Sequence, residues 1–218
     1  MIFADTINIT PVDVPTLRRD PFALALLRGL ESRGFAQAVL HGGALRDRFM
    51  GRARAISDLD IWVNFGSAAG DRAPDMVTPG YFAAVIQELW PEAEIISAPP
   101  LSHTSSRSQS WGRMTLQYKG RHIDLHMTTV PYDLGAKALA ADAPLNAVAM
   151  DASGTVRAHP LFASHAQGRI YAPLPCIEGQ VAQERFEHLR RKIPGLQMPQ
   201  ATTGATVIPF APRGPQPL

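Results

Sequence analysis

The sequence contains one cysteine, few charged residues and no long apolar run. The single cysteine, Cys176, excludes an intrachain disulfide and a cysteine-rich zinc site, and a free thiol is the simplest interpretation. No apolar segment approaches the roughly 20 residues that a membrane-spanning helix needs. The N-terminus also lacks the basic and apolar regions of a secretory signal. We therefore expect a cytoplasmic protein with no membrane partner.

Charge is scarce as well. Charged residues make up 18% of the 218 residues, and the formal net charge of +2 is too small to require a nucleic-acid partner, although it does not exclude one. Hydrophobic residues make up 45%, which is enough for one well-packed domain with a small appendage.

The most informative stretch begins with an apolar run that stops at two glycines. Ala38–Leu40 reads as a buried strand, and Gly42-Gly43 reads as the tight turn that follows it. Residues 44–50 then continue as a helix. Glycine lets a ligand approach the main chain closely, and the free N–H groups of a helix start attract phosphate. This turn is therefore a candidate phosphate site.

Two aspartates open the next predicted strand. Asp58 and Asp60 are two residues apart in SDLDIWV, so their side chains project from the same face of a strand. Mg²⁺ is usually held by one or two such carboxylates together with substrate phosphates. A solvated pair at the start of a strand is the alternative. The glycine turn one helix earlier favours the metal site.

The combined motif resembles a known family. HGGALRDRFMG followed by DLDI is similar to the head domain of the tRNA nucleotidyltransferase/poly(A) polymerase family, which includes the CCA-adding enzymes and carries GGxxRDxxxG and then DxD. The family belongs to the polymerase-β-like nucleotidyltransferases. The matching residues, in order, are Gly42, Gly43, Arg46, Asp47, Gly51, Asp58 and Asp60.

The resemblance implies an α+β fold, a mixed sheet with flanking helices. It also implies nucleotide binding by Gly42, Gly43, Arg46 and Asp47. Arg46 would either touch a phosphate or pair with Asp47 to brace the turn. The DxD carboxylates would be catalytic and would bind Mg²⁺, with Mn²⁺ as a substitute.

A third carboxylate is expected beside the DxD pair. Residues 114–118 and 122–127 flank Lys119-Gly120 and read as a β-hairpin. In the second arm Asp124 shares a face with His122 and His126. The family resemblance implies that Asp124 is catalytic and completes the metal site or helps to deprotonate the attacking hydroxyl. The alternative is the outward polar face of an edge strand.

A further segment supports the resemblance. ADAPLNAVAMDASGTV is similar to the family segment that ends in INAL, with Asp142, Asn146 and Asp151 in corresponding places, and Asn146 is therefore a candidate nucleotide-binding residue. The family's arginine pair is replaced here by Ala140 and Ala141. HPLFASHAQGRI then resembles the family's closing loop and strand.

The remaining elements follow from local signals. Asp20 and Pro21 predict the start of a helix that runs to about Arg33. Residues 81–89 predict a second helix, residues 94–97 a short strand and residues 98–112 a loop. We predict an extended segment over 1–20, a head domain over 21–175, a C-terminal helix over 176–197 and a disordered tail over 198–218.

Taken together, the sequence predicts a Mg²⁺-dependent nucleotidyltransferase that uses an NTP, with ATP or CTP favoured. The acceptor would be a hydroxyl, with the 3′ end of tRNA or another RNA as the leading candidate. The family's acidic-x-x-arginine motif for choosing C or A has no clear counterpart, so CCA addition itself is not predicted. The alternative is a non-catalytic module that binds a nucleotide or a partner and retains the head fold.

Overall fold

A computed structural model describes residues 9–17, 20–35, 37–52, 58–64, 79–98, 110–128, 133–175 and 177–199 of the chain. The strands are β1 (Val12–Asp13), β2 (Gln37–His41), β3 (Asp58–Asn64), β4 (Glu94–Ser97), β5 (Ser110–Tyr118), β6 (Arg121–Thr128), β7 (Val148–Asp151) and β8 (Val156–Ala158). The helices are α1 (Pro21–Ser32), α2 (Gly43–Phe49), α3 (Pro79–Leu89), α4 (Leu134–Leu139), α5 (Phe162–Gly168) and α6 (Gly179–Lys192), with a 3-10 helix at Pro144–Asn146.

All eight strands form one sheet in the order β1-β8-β7-β2-β3-β6-β5-β4. The β3–β6 pair is parallel, and the other pairs are antiparallel. This mixed sheet with flanking helices confirms the predicted α+β fold. β6 lies between β3 and β5, so Asp124 is not on an edge strand.

The main hydrophobic core lies on one face of the sheet, under α1 and α3. Burial of apolar side chains is the main force that stabilises such a layer, at about 25 cal/mol per Å². The core combines residues of both helices with every second residue of the central strands, among them Leu26, Leu27, Leu30, Leu59, Ile61, Phe82, Ile86, Ile123 and Leu125. The alternate residues of β3 and β6 therefore face the opposite side, where the two aspartates of the DxD motif lie.

That opposite side carries α4 and α6. Helix α4 packs through Ala138 on Val39 and Ala149. Helix α6 joins a separate cluster that contains Leu145, Tyr171, Phe186, Leu189 and Ile193. Helix α6 therefore packs against the 3-10 helix and the segment after α5, at one end of the strand face that bears the aspartates.

Several local predictions are confirmed. Asp20 caps α1, because its side chain accepts a hydrogen bond of 3.0 Å from the N–H of Phe22. Lys119 and Gly120 turn the β5–β6 hairpin with φ of 48° and 76°, the positive values that a two-residue hairpin turn needs. The helix over 81–89, the strand over 94–97 and the C-terminal helix also form.

Other predictions need correction. Residues 110–112 of the predicted loop over 98–112 belong to β5 and extend the hairpin ladder. The predicted closing loop contains helix α5, which the buried Phe162 and Ala166 anchor, and the predicted strand is limited to a parallel β-bridge between Ile170 and Gln197. Helix α4 was not predicted.

Four expectations fall wholly or partly on residues that the structure does not describe. They are the part of the extended segment over 1–20 that precedes Ile9, the loop over 99–109, the free thiol of Cys176 and the tail beyond Pro199. Within the described part of the chain, no helix combines the length and the apolar character needed to cross a bilayer.

Candidate active site

A cavity of about 340 Å³ lies where the β2–α2 turn meets β3, β6 and α6. Its lining includes the two glycines of the turn and one aspartate of the DxD motif, Asp60. The structure therefore brings the two halves of the sequence motif to one cavity. The other lining residues come from β2, α2, β3 and β6, from the 3-10 helix region and from one face of α6.

The glycine turn requires glycine at its first position. Gly42 has φ of 77° and ψ of −124°, a combination that residues with a side chain rarely adopt. Its N–H donates to the carbonyl of Val148 at 2.9 Å, so this N–H is not free for a phosphate. The helix N–H groups without an intrahelical partner begin at Gly43. The two glycines that were predicted to bind phosphate together therefore have different roles. Gly42 shapes the turn, and Gly43 lines the cavity where a ligand would lie.

This division leads to a testable prediction. At Gly43, an added Cβ would meet its nearest atom, Nη2 of Arg46, at an ordinary 3.6 Å, so Gly43→Val should fold and place its methyl groups in the ligand space. We expect it to weaken NTP binding about tenfold, or 1.4 kcal/mol, in calorimetry. Gly42→Val should in addition lose stability on the order of 1–3 kcal/mol from backbone strain. Wild-type NTP affinity in folded Gly43→Val would place the triphosphate elsewhere.

A polar network braces the turn from behind. Arg46 is buried, and its Nε donates to Asp47 at 3.0 Å while its Nη1 donates to Oδ1 of Asn146 at 2.7 Å. Asn146 in turn donates to Asp142 at 2.8 Å. Arg46 and Asn146 line the cavity, and Asp47 is not among its lining residues. Of the two roles expected for Arg46, these contacts support the brace.

The three predicted carboxylates occupy one face of two neighbouring strands. Asp60 on β3 is in direct register with Asp124 on β6, and Asp58 is in register with His122. Asp58 and Asp60 are about half-exposed, with side-chain exposures of 53% and 46%. The three carboxylates therefore lie on neighbouring strands of the sheet, as predicted.

Each carboxylate nevertheless has its own partner. Oδ2 of Asp58 lies 3.8 Å from Nζ of Lys192. Asp124 accepts a 2.6 Å hydrogen bond from Thr115 and lies 3.8 Å from Nη1 of Arg113. In the described ranges, no three Asp, Glu, His or Cys side chains converge as metal ligands.

An aromatic stack supports Asp60. The rings of Trp62 and His126 are parallel within 14° at 5.0 Å, and Nε2 of His126 lies 3.5 Å from Oδ1 of Asp60. Burial tends to raise the pKa of Asp60, but the hydrogen bond from His126 and the nearby Lys192 outweigh burial and lower it. Asp60 is therefore ionised at neutral pH.

Lys137 completes this stack and was missed by the sequence analysis. Its Nζ lies 3.0 Å from the centroid of the Trp62 ring, a cation–π contact. Burial lowers the pKa of Lys137 to about 7, with Asp60 opposing the shift. Burial likewise lowers the pKa of His41 to about 3, so that this cavity residue is neutral.

Helix α6 supplies cations that the sequence analysis did not assign to the site. Arg185, His188, Leu189 and Lys192 all line the cavity, and their spacing of three, four and seven residues places them on one helix face. Burial, followed by the nearby cations, lowers the pKa of His188. Ala141 also lines the cavity, at a position where the family has arginine. In place of that arginine, Arg185 and Lys192 of α6 supply positive charge to the cavity.

Comparison with known proteins identifies the fold. No protein-family model matches the sequence, and no curated protein matches it. Among solved structures, the Thermotoga maritima CCA-adding enzyme complexed with tRNA aligns with a TM-score of 0.59 at 16% identity, over 88% of this chain and 44% of that one. A CCA-adding enzyme with CTP aligns at 0.58 and 17% identity, over 88% and 44% of the two chains.

The CCA-adding enzyme of Bacillus stearothermophilus in complex with CTP aligns with a TM-score of 0.52 at 20% identity, over 84% of this chain and 42% of that one. This chain thus spans less than half the length of each of these enzymes. The matched region includes most of the eight-stranded sheet and its helices, since it covers more than four fifths of the chain. The protein has the nucleotidyltransferase head fold of CCA-adding enzymes.

Proposed function

We propose that the protein transfers a nucleoside monophosphate from an NTP to a hydroxyl acceptor. The observation that carries the proposal is the pairing of Asp60 with Asp124 in register on neighbouring strands, beside a cavity that also holds the glycine turn and the cations of α6. A fold does not by itself require carboxylates on this strand face. Their position next to anion-binding groups favours chemistry on a phosphate ester.

The triphosphate would lie in the cavity. The N–H groups at the start of α2, together with Arg185 and Lys192, would neutralise its phosphate oxygens. The Arg46–Asn146 brace would keep the turn from moving. The half-exposed oxygen ligands of Asp58 and Asp60 suit a hard divalent cation and would hold Mg²⁺. When bound, Mg²⁺ would neutralise charge on the phosphates during in-line displacement.

Residues of this chain can support each part of the proposed transfer. The acceptor oxygen forms a bond to the α-phosphorus, the bond from that phosphorus to the β-phosphate bridging oxygen breaks, and pyrophosphate leaves. Asp124 would take the hydroxyl proton, with its carboxylate orientated by the hydrogen bond from Thr115. Asp60 stays ionised through its contact with His126.

For the substrates, we propose ATP or CTP and an RNA 3′ end, including that of tRNA. Similar folds have been solved with tRNA, CTP and ATP. The basic face of α6 beside the cavity fits polyanionic substrates.

A transfer assay tests the proposal. The full chain is incubated with each NTP labelled at the α-phosphate, total RNA and Mg²⁺, with an EDTA control. We expect label to enter RNA only with the metal. Calorimetry with each NTP and Mg²⁺ is run in parallel, because binding without transfer to any acceptor would establish the non-catalytic module instead.

The role of Asp124 gives a sharper prediction. Asp124→Asn should leave NTP affinity unchanged but slow single-turnover transfer by about a hundredfold or more, because a positioned base acts in the transition state. Glu94→Gln, which removes a carboxylate from the edge strand β4, is the matched control and should transfer at the wild-type rate. A wild-type rate in Asp124→Asn would remove Asp124 from the mechanism.

A further inference from the structure

A second cavity, of about 420 Å³, opens between the C-terminal ends of α2, α5 and α6. Apolar side chains form much of its lining, including Phe49 and Met50 from α2 and the buried Ile193 that follows α6. Its size is in the range of sites for small molecules or single nucleotides. An apolar surface of this kind offers a nucleobase a place to pack.

Two arginines, Arg52 and Arg169, give the cavity its charge, and no acidic residue is among its described lining. Nη2 of Arg52 donates to the carbonyl of Lys192, and its buried Nη1 has no hydrogen-bond partner in the part of the chain that is described. The carboxylate of Asp47 is 3.9 Å from this atom. Nη1 of Arg169 donates to the carbonyl of Pro194 at 2.9 Å. Each guanidinium carries five N–H donors, so both retain donors for an anion.

The backbone holds Arg169 in position. Its φ of 53° and ψ of 50° are left-handed, which is uncommon for a residue with a side chain. Gly195 leaves room for the guanidinium, because a Cβ there would lie only 3.0 Å from Nη1 of Arg169. A side chain that is already orientated loses little entropy when it binds a ligand.

The second cavity adjoins the candidate active site. Gly43, at the start of α2, lines the first cavity and Phe49, at its end, lines the second. The seven residues of α2 span about 10 Å, so a single RNA strand whose 3′ end lies in the first cavity can reach the second. Lys192 contacts residues at both cavities, because its Nζ lies 3.8 Å from Oδ2 of Asp58 and its carbonyl accepts a hydrogen bond from Arg52.

We propose that this cavity is a subsite for a nucleotide of a single-stranded RNA acceptor, upstream of the reacting 3′ hydroxyl. The base packs on Phe49 and Met50, and the phosphate binds Arg52 and Arg169. Apolar packing of a base combined with cationic contacts to the backbone is the general mode of single-strand binding. The inference rests on the proposed function, because it names the acceptor that the transfer would use.

The test uses fluorescence anisotropy with a short single-stranded RNA labelled at its 5′ end, titrated at several salt concentrations. Arg169→Gln keeps an amide donor for the carbonyl of Pro194 but loses the charge. We expect its Kd for RNA to rise about tenfold and its salt slope to fall by about 0.7, the value for one lost phosphate contact. The Kd for NTP, measured by calorimetry with Mg²⁺, should not change.

Arg157→Gln is the matched control, because Arg157 on β8 pairs with the exposed Asp13 on the edge strand β1. It should bind RNA as the wild type does. An unchanged Kd and slope in Arg169→Gln would overturn the subsite even if transfer proceeds. If RNA binding depends on Arg169 but the protein binds no NTP, the proposed function would be overturned while the RNA subsite would stand. A polyglutamate peptide that binds equally well through Arg169 would overturn the nucleotide assignment.

Photocrosslinking gives a second readout that needs no variant. An RNA with 5-iodouridine next to its 3′-terminal nucleotide is irradiated with the wild-type full chain, and the modified peptides are identified by mass spectrometry. We expect crosslinks on the peptide that contains Phe49 and Met50. Crosslinks confined to peptides that do not line the second cavity would overturn the proposal.

Discussion

Asp60→Asn should lower the rate of nucleotidyl transfer by about a hundred- to a thousandfold, the range found when one preorganised electrostatic group is removed. Asp60 lines the cavity and lies directly beside Asp124. Its contact with His126 keeps it ionised. An amide has the same shape but no charge, so it cannot balance the charge of a divalent cation bound beside the phosphates.

The fold should tolerate this change. Asp58 and Asp60 repel each other without a metal, so loss of one charge relieves that repulsion. We expect the melting temperature of Asp60→Asn in EDTA to stay close to that of the wild type, because relief of this repulsion offsets the lost contact with His126. Glu88→Gln, which breaks the exposed ion pair with Arg33, is the control and should keep full activity. A variant that melts well below the wild type in EDTA would show that the pair is structural.

Asp20→Ala should cost about 3 kcal/mol or more of folding free energy, since it breaks a buried ion cluster and removes a helix cap. Asp20 is buried and accepts from the N–H of Phe22, and its Oδ2 lies 2.8 Å from Arg121 and 3.2 Å from Arg48. One carboxylate thus ties α1 to α2 and to the β5–β6 hairpin. Urea denaturation measures the loss.

The same cluster gives a pH dependence. Burial raises the pKa of Asp20, but Arg121 and Arg48 outweigh burial and bring it below its usual 3.8. A carboxyl with a lowered pKa in the folded state stabilises the protein above the unfolded-state pKa, and this stabilisation is lost as the pH falls through the folded-state value. Asp20→Asn should flatten that acid limb. The exposed control Asp13→Asn, at an ion pair with 70% side-chain exposure on the aspartate, should not, and an equal effect of both would contradict the assignment.

Local sequence signals were sufficient to predict the start of α1 and the β5–β6 hairpin. Asp20 before Pro21 predicted the start of α1, and Lys119-Gly120 predicted the hairpin, because caps and tight turns depend on a few neighbouring residues. The resemblance implied that Asp124 lies beside the DxD strand, and the register of β3 with β6 confirms it.

The rest depends on packing between distant segments. Lys137 lies in α4, a helix of six residues that is too short to show a clear period, and only the docking of α4 on the sheet brings it to Trp62. Arg185 and Lys192 share a helix face that the sequence shows, but the cluster around Tyr171 decides that this face turns to the cavity. The resemblance implied a loop where α5 forms, and the C-cap of α5, Arg169, has a left-handed conformation that usually falls to glycine.

A crystal structure with Mn²⁺ and a non-hydrolysable NTP tests the central claim most directly. We predict anomalous density for Mn²⁺ within about 2.2 Å of carboxylate oxygens of Asp58 and Asp60, and a triphosphate between the N–H of Gly43 and the cations of α6. Density for the metal and the triphosphate at another site, with the Asp58–Asp60 pair empty at saturating ligand, would contradict it.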